Sequence, residues 1–203
     1  METDLDSLNH FVHRWLDKAG DVSDSTDFPF VDRFVFTYIS FNALYTAAAN
    51  VLDGAATTIS TWSFRNGGPP KRRFKKYPSE QKRATALVVD VIGRRRSAES
   101  LVTCKDAIED LCDGFGIGRL YLHELENGEP DTAKDNELIT LARSGDTESV
   151  LKIVYLLRCN LFHGAKALSG IQDVPLTAAT TILRALIPSF LDGVECRLRS
   201  SEL

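Results

Sequence analysis

Apolar positions recur three and four residues apart along most of this chain, the spacing of a helix face rather than of a strand. Leu5, Leu8, Phe11, Val12, Trp15 and Leu16 form the first stripe and predict a helix over about 4–19. Asp27 is placed to cap a second helix, with Pro29 early in it, where the missing N–H of proline costs nothing. Two apolar rows, Phe30, Phe34, Phe41, Leu44 and Val31, Val35, Tyr38, Tyr45, cover so much of its circumference that this helix is expected at the centre, ending near Leu52.

Residues 53–78 hold Gly67-Gly68-Pro69-Pro70 and a run of basic residues, both opposed to regular structure, and predict a long exposed loop. Helices are expected next at about 79–95 and 98–113, the second starting near Ser97 and turning Leu101, Ala107 or Ile108, and Leu111 inward. The stretch 114–145 is polar, contains Gly116, Gly118, Gly128 and Pro130, and predicts only short helical pieces around Leu120 and Leu138. Asp146 or Thr147 starts a further helix whose apolar row is Val150, Val154, Leu157 and Leu161, widened by Ile153, Tyr155 and Leu156. Gly164 is placed to stop it. A last helix over about 175–198 opens with Pro175, and Pro188 is expected to kink it. The expected product is a single all-α domain over 1–203, a bundle of five or six helices with two loop insertions and no internal repeat.

Composition adds limits. With 43% hydrophobic and 26% charged residues, the chain can bury one good core. No apolar run approaches the roughly eighteen residues of a membrane span, and the polar, acidic N-terminus is unlike a signal peptide, so the cytoplasm is the expected location. Cys104, Cys112, Cys159 and Cys196 are widely spaced and read as reduced, mostly buried thiols. His10 and His13 could share a helix face, but a pair without a third ligand reads as surface, and neither a metal nor a cofactor is expected.

Charge is unevenly distributed. Residues 65–96 carry eleven Lys or Arg against Glu80 and Asp90, a surplus of +9; the whole chain is at −4, so the remainder carries −13. A polyanion-facing patch and a solvated charged loop are both open readings. The aromatics Trp62, Phe64, Phe74 and Tyr77 bring the two level, since bases stack on rings while cations track phosphates. Arg72, Arg73, Lys75 and Lys76 are the candidate RNA contacts in this run.

The chemistry concentrates in Leu156-Leu157-Arg158-Cys159-Asn160-Leu161-Phe162-His163-Gly164. A guanidinium can stabilise charge on a phosphoryl oxygen, and an imidazole can move a proton to or from a hydroxyl. This wording resembles the HEPN (higher eukaryotes and prokaryotes nucleotide-binding) family, whose nucleases carry an Arg, a nearby polar residue and a His four to six residues on. Tyr38-Ile39-Ser40-Phe41-Asn42-Ala43-Leu44-Tyr45 is similar to the early helix of that family. The resemblance covers about half to two-thirds of the chain, and the two insertions lie outside it.

The resemblance implies a HEPN-like bundle and a metal-independent endoribonuclease acting as a toxin, stress or antiviral-defence effector, with a neutralising partner protein in some settings. His163 would be the general base or acid, Arg158 would hold the scissile phosphate, and Asn160 would orient the phosphate or the imidazole. Lys166, just beyond, would add a phosphate contact by position alone. Successive helical residues turn by about 100°, so Asn160 and His163 lie about 60° apart while Arg158 points about 140° from His163. Either the helix end unwinds or a second copy completes the site; the resemblance implies the latter, a homodimer about a two-fold axis. A Tyr that follows the His by two residues in toxins paired with a nucleotidyltransferase is here Ala165, so control by adenylylation there is not implied.

The alternative is a non-catalytic HEPN module that binds RNA, a nucleotide or a protein partner. On that view Arg158 pairs with an acidic neighbour, Asn160 satisfies backbone groups and His163 caps helix carbonyls.

Overall fold

A computed structural model describes residues 5–54, 78–116, 121–162 and 172–201. These residues are all-helical: they contain no strand, only an isolated bridge between Glu124 and Pro130. Six helices are of twelve residues or more: α1 (Leu5–Gly20), α2 (Pro29–Gly54), α6 (Lys105–Gly116), α7 (Thr132–Arg143), α8 (Thr147–Phe162) and α9 (Asp173–Ser201). Between α2 and α6 the chain breaks into shorter pieces, α3 (Glu80–Lys82), a π-helical turn over Arg83–Leu87, α4 (Val88–Ile92) and α5 (Arg94–Ser100). The described chain is thus cut more finely than the five or six helices expected.

α2 is the central helix. Phe30, Phe34, Tyr38, Phe41, Leu44 and Tyr45 are all buried, and Ser40 donates its hydroxyl to the Val12 carbonyl at 2.9 Å, closing the seam with α1. On its other side α2 meets α9, where the Phe41 and Phe190 ring centroids lie 6.0 Å apart. The first stripe turns Val12 fully inward but leaves Phe11 40% exposed, against Trp15.

Two expected boundaries are corrected. The helix expected to run to residue 95 stops at Gly93, whose φ of +88° only glycine adopts without strain, and Ser97 falls inside α5 instead of starting a helix. The polar stretch 114–145 holds the full twelve-residue helix α7. Asp131 caps it by accepting the Lys134 N–H at 3.1 Å, and Leu138, Ile139 and Ala142 bury one narrow face. Arg143 then ties α7 to α6 by donating to Glu109 at 2.8 Å and to Asp113. The 53–78 loop lies almost wholly outside the described residues.

α9 continues through Pro188, and its apolar content corrects the expectation that no run approaches the length of a membrane span. Its segment Asp173–Arg199 has an 18-residue window of mean hydropathy 1.4, long and apolar enough to cross a membrane by length and composition. Threonines and a lone Arg184 interrupt any continuous apolar run without lowering the average far. Leu176, Ala179, Ile182, Leu183, Leu186, Ile187, Phe190 and Val194 are buried, and α9 packs against α2, α4 and α6. Gly193 permits a close approach to α4, because a Cβ there would lie 2.7 Å from the Val91 carbonyl oxygen. Of the free cysteines, Cys104 and Cys112 are buried, Cys159 is half-buried and Cys196 is exposed, so "mostly buried" holds for two.

Candidate functional site

α8 starts where the Asp146 carboxylate accepts the Ser149 N–H at 3.0 Å, and Val150, Ile153, Val154 and Leu157 bury its inner face. That packing fixes the helix rotation and turns Arg158 toward α2 and α3. The Arg158 guanidinium carbon lies 5.5 Å from the Tyr38 ring centroid and 5.1 Å from that of Phe162, one turn on. Its Nη2 is 3.2 Å from Oε1 of Glu80, the first residue of α3. The same oxygen accepts the Tyr45 hydroxyl at 3.0 Å. Three helices, α2, α3 and α8, therefore converge on one guanidinium.

Burial, reinforced by the neighbouring Tyr45, holds the Tyr38 hydroxyl far above the ordinary tyrosine range. Tyr45 is raised as well, again first by burial. Both phenols are neutral at any working pH, so Glu80 supplies the negative charge that faces Arg158. The Arg83 guanidinium carbon lies over the Tyr45 ring, 5.6 Å from its centroid. The Arg158 side chain is 22% exposed, enough for solvent or a ligand to reach part of it.

Asn160 faces another way. Its amide nitrogen donates to the Tyr121 carbonyl at 3.0 Å, tying the end of α8 to the start of the 121–131 segment. Asn160, Tyr121, Phe115, Leu157, Leu161 and Leu176 surround a cavity of about 20 Å³, room for a single water. Beside it, His123 and Asp135 form a largely buried pair with Nδ1 to Oδ1 at 2.6 Å, and Asp135 also accepts the backbone N–H groups of Leu122 and His123. That carboxylate shapes the segment that Asn160 grips.

Of the residues singled out from sequence, Arg158 and Asn160 are on the last turns of α8 but are not in contact with the same partners. His163, Lys166, Arg72, Arg73, Lys75 and Lys76 lie outside the described residues, as do Trp62, Phe64, Phe74 and Tyr77. The described part of the basic region is partly committed to its own fold: Arg95 pairs with Glu99, Arg96 with Asp192, and Arg83 with the Tyr45 ring. Its two acids each hold an arginine from elsewhere, Glu80 taking Arg158 and Asp90 taking Arg197.

Sequence reasoning missed Glu80, Tyr38 and Tyr45 as partners of Arg158. A signal for the tyrosines was present in their separation of seven residues, which puts both on one face of α2. Glu80 was visible as one of two acids in a basic stretch, directly after Ser79, which caps α3 by accepting the Lys82 N–H at 3.4 Å. Comparison with protein-family models, with curated proteins and with solved structures finds no match to this chain.

Proposed function

We propose that the chain is a HEPN-like, metal-independent endoribonuclease that works as a homodimer in the cytoplasm. The observation that carries this reading is the Arg158 guanidinium, held in place by Glu80 and two aromatic rings yet partly open at the end of α8, five residues before His163. A fixed, partly desolvated cation is suited to a phosphoryl oxygen on which charge develops. His163 would take the proton from a ribose 2′-hydroxyl or deliver one to the leaving 5′-oxygen. The 2′-oxygen forms a bond to phosphorus as the bond to the 5′-oxygen breaks, leaving a 2′,3′-cyclic phosphate and a 5′-hydroxyl.

Asn160 keeps its carbonyl oxygen for an orienting role, since its amide nitrogen is engaged by Tyr121. Phe162, 54% exposed beside Arg158, gives the motif helix an apolar tip that a second copy could cover. Lys166 and the run Arg72, Arg73, Lys75 and Lys76 would hold RNA, and the biological setting would be that of a toxin, stress or defence effector, with or without a neutralising partner.

The test incubates purified protein with structured and unstructured RNA in EDTA and examines the product ends. Cyclic phosphate and 5′-hydroxyl ends support the reading; abolition by EDTA or 5′-phosphate ends overturn it. Light scattering should find a dimer at micromolar concentration, and a 22.5 kDa species alone would remove the composite cleft. A second reading, a non-catalytic module binding RNA, a nucleotide or a protein, is favoured by the pairing of Arg158 with Glu80. Tight RNA binding without cleavage would select it.

A further inference from the structure

Glu80 is the one carboxylate among the described residues that contacts the motif arginine, and its own placement is over-determined. Its Oε1 forms an ion pair with Arg158 Nη2 at 3.2 Å and accepts the Tyr45 hydroxyl, and the tyrosine that anchors it is fully buried on the central helix. An arginine side chain free in solvent samples many rotamers, and most of that freedom must be lost before it can meet a phosphate. Here the loss has already occurred. Glu80 restrains one end of the guanidinium, the Tyr38 and Phe162 rings flank it, and among the described residues Nη1 meets only the Cys159 sulfur, at 4.0 Å.

We propose that Glu80 is a positioning residue for Arg158: held by Tyr45, it presets the guanidinium so that Nη1 is presented to a phosphoryl oxygen. The proposal rests on the ribonuclease reading for its kinetic consequence but not for its geometry. Glu80 contacts neither RNA nor the reacting atoms. Its contribution is a restrained partner whose charge also keeps the guanidinium from being drawn toward other carboxylates. Tyr45 belongs to the same device, one step further back.

Two measurements test it. In the cleavage assay, Glu80→Ala should lower kcat about tenfold to a hundredfold, by analogy with the loss of a residue that orients a metal ligand, with KM little changed. Glu80→Gln, which can still accept from both partners, should restore part of that loss, and Tyr45→Phe should give a smaller fall in the same parameter. A rise in KM with unchanged kcat, or equal losses for Ala and Gln alongside a lowered melting temperature, would overturn the positioning role.

The second measurement needs no activity. The Nε–H signal of Arg158, assigned by its disappearance in Arg158→Lys, should be sharp and ring-shifted in the wild-type NMR spectrum. It should broaden in Glu80→Ala and persist in Glu80→Gln. An unchanged signal in Glu80→Ala overturns the proposal whether or not the protein cuts RNA, whereas the expected broadening in a protein that cuts nothing leaves the geometry standing and discards the ribonuclease reading.

Discussion

Replacing Gly193 by alanine separates two opposed effects on one helix. Alanine in a helix interior is favoured over glycine by about 1 kcal/mol, so an open site would gain stability. Gly193 is not open. Its added Cβ would sit 2.7 Å from the Val91 carbonyl oxygen and 2.9 Å from Val91 Cγ1. The valine methyl can rotate, but the carbonyl oxygen cannot, so α9 must retreat from α4. The retreat would also stretch the flanking contacts, Arg96 to Asp192 at 2.6 Å and Arg197 to the Asp90 carbonyl at 2.7 Å. Overpacking of this kind costs about 1 to 3 kcal/mol. After the propensity gain, a net loss of about 0 to 2 kcal/mol remains, up to roughly 8 °C in Tm for a chain of this size. Urea and thermal melts followed by circular dichroism measure it, with Gly20→Ala as the control, because nothing lies within 4 Å of a Cβ there. A Gly193→Ala protein more stable than the wild type by the roughly 1 kcal/mol of an open helical site would refute the argument by showing that α4 and α9 are not in close contact at this point.

Other outcomes are equally specific. His163→Ala should lose on the order of 10² to 10⁴ in cleavage rate while its melting curve matches wild type; equal cutting by the folded variant would discard the proton-transfer role. Neutralising Arg72, Arg73, Lys75 and Lys76 should weaken RNA binding and flatten its salt dependence, since fewer counterions are released; an unchanged slope would make the loop a solvated insertion. Stability should fall above about pH 9, read from urea midpoints under reducing conditions. Burial raises the Cys112 thiol from 9.0 to about 11 and the Tyr155 hydroxyl from 10.0 to about 12. The folded state therefore keeps protons that the unfolded chain releases, so the stabilisation is complete below pH 9 and is lost as pH rises through those values. The slope is up to about 1.4 kcal/mol per pH unit for the buried Cys112 and less for the partly exposed Tyr155, and a flat profile to pH 11 would contradict it.

The long helices were legible because their signals are local. α2 and α8 have apolar rows that wrap the helix, with a proline or a capping carboxylate at the start, and these rows became the centre of the core. α7 was hidden because Thr132 to Glu137 contains one apolar residue, Ala133, and the helix is stabilised by its cap and by the ties of Arg143 to α6. The break at Gly93 was hidden because a glycine in an apolar run is compatible with a continuing helix until its φ is known. At the site, the sequence exposed Arg158 and Asn160 as a motif, but their partners come from segments far away along the chain. Glu80 is brought to Arg158 only by tertiary folding, and the Tyr121 carbonyl that receives Asn160 is a backbone group that any residue would supply.

The contact between α2 and α9 also sets the order of events when the chain is made. α2 is complete by residue 54, but the side of it that carries Phe41 faces Phe190, which is synthesised more than a hundred residues later. At roughly 5 to 20 residues per second, α1 can cover one flank early while the other stays open to solvent for several seconds or longer. During that interval the nascent chain presents an aromatic-rich surface of the kind that chaperones bind and that promotes aggregation. A chain that stops before α9 would keep that surface permanently, so loss of the last helix should abolish soluble expression even though the motif of α8 is intact.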